Sequence, residues 1–144
     1  MRLFVTAAIV GGLVAATAAY AQGNVIQQRR AAMKAIGEQT DIGASILKGK
    51  VPFSTDKAQL IFQTYKDKMV GFEKLFPPGS DAGETKATAA VWSDRAGFDA
   101  AITKFNQAVA DNAAKGVVDE AGFKTAFAAV AENCRSCHQT YKSR

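Results

Sequence analysis

Cysteine and histidine, the side chains that most often bind cofactors and metals, occur at a single place in this sequence. The chain has 144 residues but only two Cys and one His. All three lie within the segment Cys134-Arg135-Ser136-Cys137-His138. The spacing is C-x-x-C-H, which is typical of a site where c-type haem is attached covalently.

The chemistry of such a site explains why this spacing is needed. Two thiols at positions i and i+3 of a helix face the same side, where they can add to the two vinyl groups on one edge of a porphyrin. The histidine that follows then presents an imidazole to the iron, and a proximal His is a standard haem ligand. We therefore predict one haem c per chain, attached through Cys134 and Cys137, with His138 as an iron ligand.

Three other interpretations of the motif fit less well. A thioredoxin-like redox pair is expected after a strand, at an exposed helix N-terminus that lowers a thiol pKa. A zinc site needs a fourth ligand, and the sequence has no second Cys/His cluster. A simple disulfide makes no use of the adjacent His138.

The first 21 residues have the three-part pattern of a cleaved secretory signal. Arg2 precedes an apolar run from Leu3 to Ala16, and the segment ends Ala19-Tyr20-Ala21. The alternative is a membrane anchor, for which the apolar stretch is near the lower limit of length. Cleavage after Ala21 would leave residues 22–144 as one domain. Because c-type haem is attached outside the bacterial cytoplasm, we expect that domain in the periplasm.

Composition and charge exclude several classes of protein. The chain carries 18 Lys+Arg against 13 Asp+Glu, a formal net charge of +5, without a run of five or six like charges. A disordered chain and a dedicated nucleic-acid binder are therefore not expected. Two cysteines form at most one bridge, so the chain is not a disulfide scaffold.

The elements that must position the motif are predicted to be helices. Apolar residues recur at helical spacing nearly throughout, and Ala outnumbers Val and Ile. Helix one has an inward stripe that includes Val25, Arg29, Met33 and Leu47, with Asn24 as its cap. Four amphipathic helices with three connections predict an all-α, antiparallel up-down-up-down four-helix bundle. The predicted helices span about Asn24–Lys48, Thr55–Leu75, Thr88–Ala114 and Asp119–Lys142.

A C-x-x-C-H at the end of a four-helix domain resembles the class II cytochromes c, the cytochrome c-prime family. The resemblance covers essentially the whole chain after the predicted signal. Only C-x-x-C-H is specific by itself; the other matching segments support the resemblance by their order and spacing. These segments are Val25–Lys34, Leu47-Lys48-Gly49-Lys50, Leu75-Phe76-Pro77, Gly83-Glu84-Thr85, Trp92, and Tyr141 with Lys142.

The resemblance assigns roles to residues around the haem. It implies thioether links from Cys134 and Cys137 and axial ligation by His138. An inward Arg29 is costly unless paired, and the resemblance implies a haem propionate as its partner; alternatively its stem packs while its head reaches water. Lys142 stands where the family usually has Arg and lacks the bidentate geometry of Arg. The remaining positions that the resemblance places near the haem are Arg30, Glu84 and Thr85.

The sixth coordination position of the iron distinguishes two functions. No second His follows the predicted signal, so the side chains left are chiefly Met33 and Met69, with Lys as a remote option. The main candidate is Met33, which lies one turn after Arg29 on the same stripe. His/Met ligation suits electron transfer. Without a bond from Met33, the resemblance implies five-coordinate iron that binds small gases such as nitric oxide or carbon monoxide. Met69 is expected in the core.

Partners and catalysis are less specified by the sequence. Basic residues at Arg30, Lys34, Lys48, Lys50, Lys66 and Lys68 could steer an acidic periplasmic redox partner, or form an ordinary solvated surface. The resemblance also implies a possible homodimer through helices one and two.

An enzyme such as a peroxidase would need a distal acid/base group, and helix one offers Met33 with Ala32 and Ile36 instead. We therefore expect an electron carrier or gas-binding protein and no enzyme.

Overall fold

The computed structural model describes the backbone of residues 8–144 and the side chains of residues 24–144. The helices are α1 (Ala8–Leu47), α2 (Thr55–Met69), α3 (Ala90–Ser93), α4 (Arg95–Gly116) and α5 (Glu120–Tyr141), with a 3-10 helix at Phe72–Leu75. None of these helices, within the described part, is long and apolar enough to cross a membrane. The predicted signal cleavage site at Ala21 lies outside the residues whose side chains are described, so that prediction stays untested.

The four long helices α1, α2, α4 and α5 form the predicted bundle. No β-strand occurs in residues 8–144, where the single bridge joins Ala87 and Lys142. Apolar side chains from all four helices meet in one core that is rich in aromatic rings, such as the edge-to-face pair of Tyr65 and Phe105. The all-α bundle predicted from helical periodicity is therefore confirmed.

The predicted start of helix one and the two ends of its inward stripe were wrong, whereas Arg29, Ala32 and Ile36 are buried as predicted. The described part of the helix already includes Ala8, because the Ala-rich stretch before Asn24 continues the helical backbone. The Asn24 side chain accepts a hydrogen bond from Gln28 at the surface instead of capping. At the two ends of the stripe, Ile26 and Ile46 are buried in place of the predicted Val25 and Leu47, since a position assigned from spacing alone shifts easily by one residue.

The second predicted helix ends earlier than its periodicity suggested. The helix α2 stops at Met69, and Gly71 has a φ of +69°, a left-handed conformation that glycine adopts without steric cost. The chain then resumes as the 3-10 helix Phe72–Leu75. The break lets Met69, Phe72 and Phe76 all remain buried, although they do not lie on one continuous helix.

The third predicted helix is broken at Asp94. The short α3 ends there, and the Asp94 side chain caps α4 by accepting a hydrogen bond from the Gly97 amide at 3.2 Å. The Asp119 side chain caps α5 in the same way, from the Gly122 amide at 2.7 Å. Asp94 therefore starts a new helix at a position where the sequence pattern predicted an uninterrupted one.

The end of α5 is hydrogen-bonded to the loop that precedes α3. The Thr88 amide donates to the Tyr141 carbonyl at 3.1 Å, and the Ser143 amide donates to the Lys86 carbonyl at 2.8 Å. The Tyr141 hydroxyl donates to the Asp94 carboxylate at 2.8 Å. These bonds hold the segment that follows the C-x-x-C-H motif.

Candidate functional site

A cavity of about 710 Å³ opens beside the C-terminal half of α5. Its volume lies within the range of small-molecule and cofactor sites. The walls come from α1, the end of α2, α4, α5 and the loop before α3, and they are mainly apolar. All nine site residues predicted from the sequence line this one cavity: Arg29, Arg30, Met33, Glu84, Thr85, Cys134, Cys137, His138 and Lys142.

The two thiols are half-buried and free, without a disulfide between them. Burial raises the pKa of both thiols, and the charge of Cys137 raises that of Cys134 further. A catalytic redox pair needs the opposite shift and a helix N-terminus, whereas this pair lies late in α5. The thioredoxin-like interpretation is therefore not supported.

The zinc interpretation finds no support in the described residues either. Among residues 24–144, no group of three or more His, Cys, Asp or Glu side chains is arranged to hold a metal ion. Cys134, Cys137 and His138 share a helix face but do not converge on one point. The arrangement instead suits a planar cofactor that extends along the helix.

His138 lies on the cavity wall and also reaches solvent. Partial desolvation lowers its pKa, and the positive charge of Lys142 lowers it further. A lowered pKa favours the neutral imidazole, which is the form that has a lone pair for a metal. His138 also lies four residues after Cys134, so both project from the same side of α5.

Arg29 is almost completely buried, with 5% of its surface exposed. Its Nη2 donates to the Ser80 carbonyl at 2.7 Å, and its guanidinium lies 4.4 Å from the centre of the Phe76 ring. Burial lowers its pKa. The alternative in which the head of Arg29 reaches water is therefore wrong.

Two donors of Arg29, Nε and Nη1, are buried without a hydrogen-bond partner. Buried polar groups in folded proteins are nearly always paired, so the guanidinium of Arg29, a residue that lines the cavity, lacks the acidic partner that its burial requires. A haem propionate is such a group, and its fit here is independent of the cysteine motif. The cavity size, the two free thiols and the unpaired guanidinium together fit haem c.

Two methionines reach the cavity. Met33 on α1 is partly buried and packs against the core, whereas Met69 at the end of α2 is 6% exposed. Both line the cavity. Met69 was predicted mainly as a core residue and secondarily as a candidate ligand, and it is buried and also lines the cavity.

The mouth of the cavity is more polar than its walls. Arg30 and Glu84, which are 54 positions apart, form an exposed ion pair. The Thr85 hydroxyl accepts a hydrogen bond from the Ala87 amide at 3.1 Å, which shapes the loop. Lys142 is exposed and bridges to Ala87 through its backbone. These four predicted positions are therefore brought together by the ion pair between α1 and the loop and by the contact between the loop and the end of α5.

Asn133 and Lys86 also line the cavity and were missed in the sequence. Asn133 is 8% exposed, and its Nδ2 donates to the Ala129 carbonyl at 3.0 Å. Its position four residues before Cys137 places it on the same helix face, a signal that was available. Lys86 lies at the cavity mouth, where its carbonyl accepts a hydrogen bond from the Ser143 amide.

The fold and this site occur together in known proteins. Residues 24–142 match the family model described as Cytochrome C'. The chain is 36% identical over 141 residues to cytochrome c' of Rhodopseudomonas palustris, covering 95% of each chain. It is 33% identical over 138 residues to cytochrome c-556 of Agrobacterium fabrum, covering 96% of this chain and 93% of that one. The crystal structure of cytochrome c' from Rubrivivax gelatinosus has a TM-score of 0.77 at 34% identity, covering 85% of this chain and 97% of that one.

Proposed function

Because the chain belongs to the cytochrome c' family, and so binds one haem c covalently through Cys134 and Cys137, we propose that it transfers electrons in the periplasm. In this proposal His138 is one axial ligand of the iron and Met33 is the other. The haem supplies a one-electron ferric/ferrous couple. The protein residues hold it, limit water access and adjust its electronic properties.

The observation that carries the proposal is the common cavity of His138 and Met33. The two residues lie on α5 and α1, 105 positions apart in the sequence, yet they line the same space. A thioether opposite an imidazole raises the reduction potential of haem iron and suits electron transfer. Arg29 supports the same site, since its two unpaired donors provide for a carboxylate of the cofactor.

A five-coordinate gas-binding protein is the second candidate. The observation in its favour is the apolar lining around the two methionines, which includes Ile36, Phe72 and Phe105. Such walls admit small neutral molecules and offer no proton donor. The difference between the two functions is therefore whether the Met33 sulfur bonds the iron.

Absorption spectra of the oxidised and reduced holoprotein, with and without carbon monoxide, test the proposal. We expect low-spin spectra that carbon monoxide does not change. Met33→Leu should give a high-spin ferric spectrum and bind the gas readily, because the thioether is lost at nearly constant volume. Met69→Leu is the matched control, with a second cavity-lining methionine, and should leave the spectrum unchanged.

Three outcomes would contradict the assignment in different ways. A high-spin wild-type spectrum with ready gas binding would support the second candidate. A spectral change in Met69→Leu but not in Met33→Leu would move the ligand to α2. Low-spin spectra in all three proteins would assign the sixth position to another group.

A further inference from the structure

The net positive charge of the chain is concentrated at the cavity. Arg2 is the only charged residue before residue 24, so 17 basic and 13 acidic residues follow it. Five basic residues and one acidic residue, Glu84, line the cavity, which leaves twelve of each sign elsewhere. The remainder of the molecule is therefore neutral, and the whole excess belongs to one face. The five basic lining residues are Arg29, Arg30, Lys34, Lys86 and Lys142.

Four of these basic residues form an exposed rim, which we define as Arg30, Lys34, Lys86 and Lys142. Arg30 pairs with Glu84, and the Lys34 ammonium lies 3.7 Å from the Glu38 carboxylate. In residues 24–144, Lys86 and Lys142 have no carboxylate within ion-pair distance. The rim thus keeps a positive surplus after its own ion pairs are counted.

The cofactor accounts for only part of this surplus. Haem carries two propionate carboxylates; Arg29 is the proposed partner of one, and the other can balance only one of the two unpaired rim lysines. The rim side chains are solvated, where a charge stabilises a neighbouring ion only weakly. Holding the cofactor therefore does not require four exposed cations around the cavity mouth. A ring of one sign around an opening does raise the local concentration of oppositely charged partners.

We propose that the rim is the docking surface for a protein partner with an acidic face, which binds over the cavity mouth. Docking there brings the partner to the edge of the haem, so the inference rests on the proposed electron transfer and identifies where the partner binds. Complementary charge of this kind accelerates association and orients the complex more than it adds affinity. The residues outside the cavity lining carry no net charge.

The test uses reduced flavodoxin, a small acidic protein, as a one-electron donor to the ferric holoprotein. The variant Lys34→Glu/Lys86→Glu reverses two rim charges that lie outside the proposed ligand set. The control variant Lys48→Glu/Lys50→Glu changes the net charge equally. Neither lysine lines the cavity, and Lys48 directly follows the end of α1, about 18 Å along the helix axis from the cavity residue Ile36. At low ionic strength we expect the rim variant to slow reduction by about tenfold or more, and the control by less than threefold.

Salt dependence and direct binding complete the experiment. The rates of wild type and rim variant should converge near 1 M salt, where the Debye length is about 3 Å. Chemical-shift changes on adding oxidised flavodoxin should map to the rim in the wild type and be lost in the rim variant. Equal slowing of both double variants would overturn the proposal, because net charge alone would then be responsible.

A membrane target and a wrong proposed function give distinguishable results. Vesicles of anionic phospholipid that bind the wild type but not the rim variant, without any flavodoxin effect, would overturn the protein-docking proposal. The chemical-shift measurement does not depend on electron transfer. Flavodoxin binding at the rim of a protein whose spectra are high-spin would therefore support the surface while contradicting the electron-carrier function.

Discussion

At the scale of single residues, the scarce side chains and one buried charge define the site. The two cysteines and the histidine occupy three of five consecutive positions, and their types and spacing alone specify haem attachment. Arg29 was recognisable as a charged residue in an apolar stripe. Its unpaired Nε and Nη1 are visible only in the structure, and they support the proposal that Arg29 pairs with a carboxylate of the cofactor.

Arg29→Gln should lower the free energy of unfolding of the holoprotein by about 1–3 kcal/mol. The substitution removes the hydrogen bond to Ser80 and the contact with Phe76, together with the charge that we propose pairs with a cofactor carboxylate. Arg30→Gln is the adjacent control. Its exposed ion pair with Glu84 should contribute less than about 1 kcal/mol.

Chemical denaturation followed by circular dichroism measures both variants in the same buffer. Equal stabilities for Arg29→Gln and wild type would mean that the buried guanidinium has no anionic partner in the holoprotein. A larger loss in Arg30→Gln would place the important charge on the rim instead of in the wall.

At the scale of elements, the predicted four helices exist, but two of them are interrupted. Helical periodicity continues across Gly71 and Asp94, so a pattern of apolar residues cannot reveal either break. The reasons are local: a left-handed backbone at Gly71 and a side-chain cap at Asp94. Both interruptions lie beside the site, since Phe72, which follows Gly71, lines the cavity and Asp94 accepts a hydrogen bond from Tyr141.

Glycine at position 43 shows how closely α1 packs against α5. A Cβ built at Gly43 would overlap the ring of Phe127, with ring carbons at 2.6 and 2.8 Å. Phe127 is itself 4% exposed, so its ring has little room to move. Gly37, on the same helix, has no heavy atom within 4 Å of such a Cβ.

Gly43→Ala should therefore destabilise the protein by about 1–2 kcal/mol, because overpacking outweighs the gain in helix propensity. Gly37→Ala should stabilise it by up to about 1 kcal/mol, since only the propensity changes. Denaturant unfolding of the two holoproteins gives both values. An equal gain from both substitutions would show that α1 and α5 lie farther apart at Phe127.

At the scale of the whole molecule, the cavity joins residues from every long helix. The loop before α3 is bonded to the end of α5, and this contact completes the rim from residues distant in sequence. The concentration of excess charge at that rim is likewise a property of the folded chain. The homodimer through helices one and two stays a prediction, as do the acidic redox partner and the periplasmic location.

Expression of the full chain in a bacterium that matures c-type cytochromes should yield a periplasmic protein that begins at Gln22. Its mass should equal that of residues 22–144 plus one haem, because the signal is removed and the thioethers survive denaturation. Mass spectrometry of the periplasmic fraction measures this directly. A haem-bearing protein that keeps residues 1–21 and sediments with membranes would support the anchor alternative.

The sequence by itself determined the cofactor chemistry, the helical class and the family resemblance. These properties depend on residue types at short spacing: two thiols and an imidazole within five positions, and apolar side chains every three or four residues. The tertiary structure decided which residues share the cavity, how Arg29 is left with two free donors, and where the net charge lies. Those properties depend on contacts between segments more than 50 positions apart, such as Arg30 with Glu84 and Lys86 with Ser143. Periodicity within one helix carries no information about such distant contacts, because the packing of the helices against one another sets them.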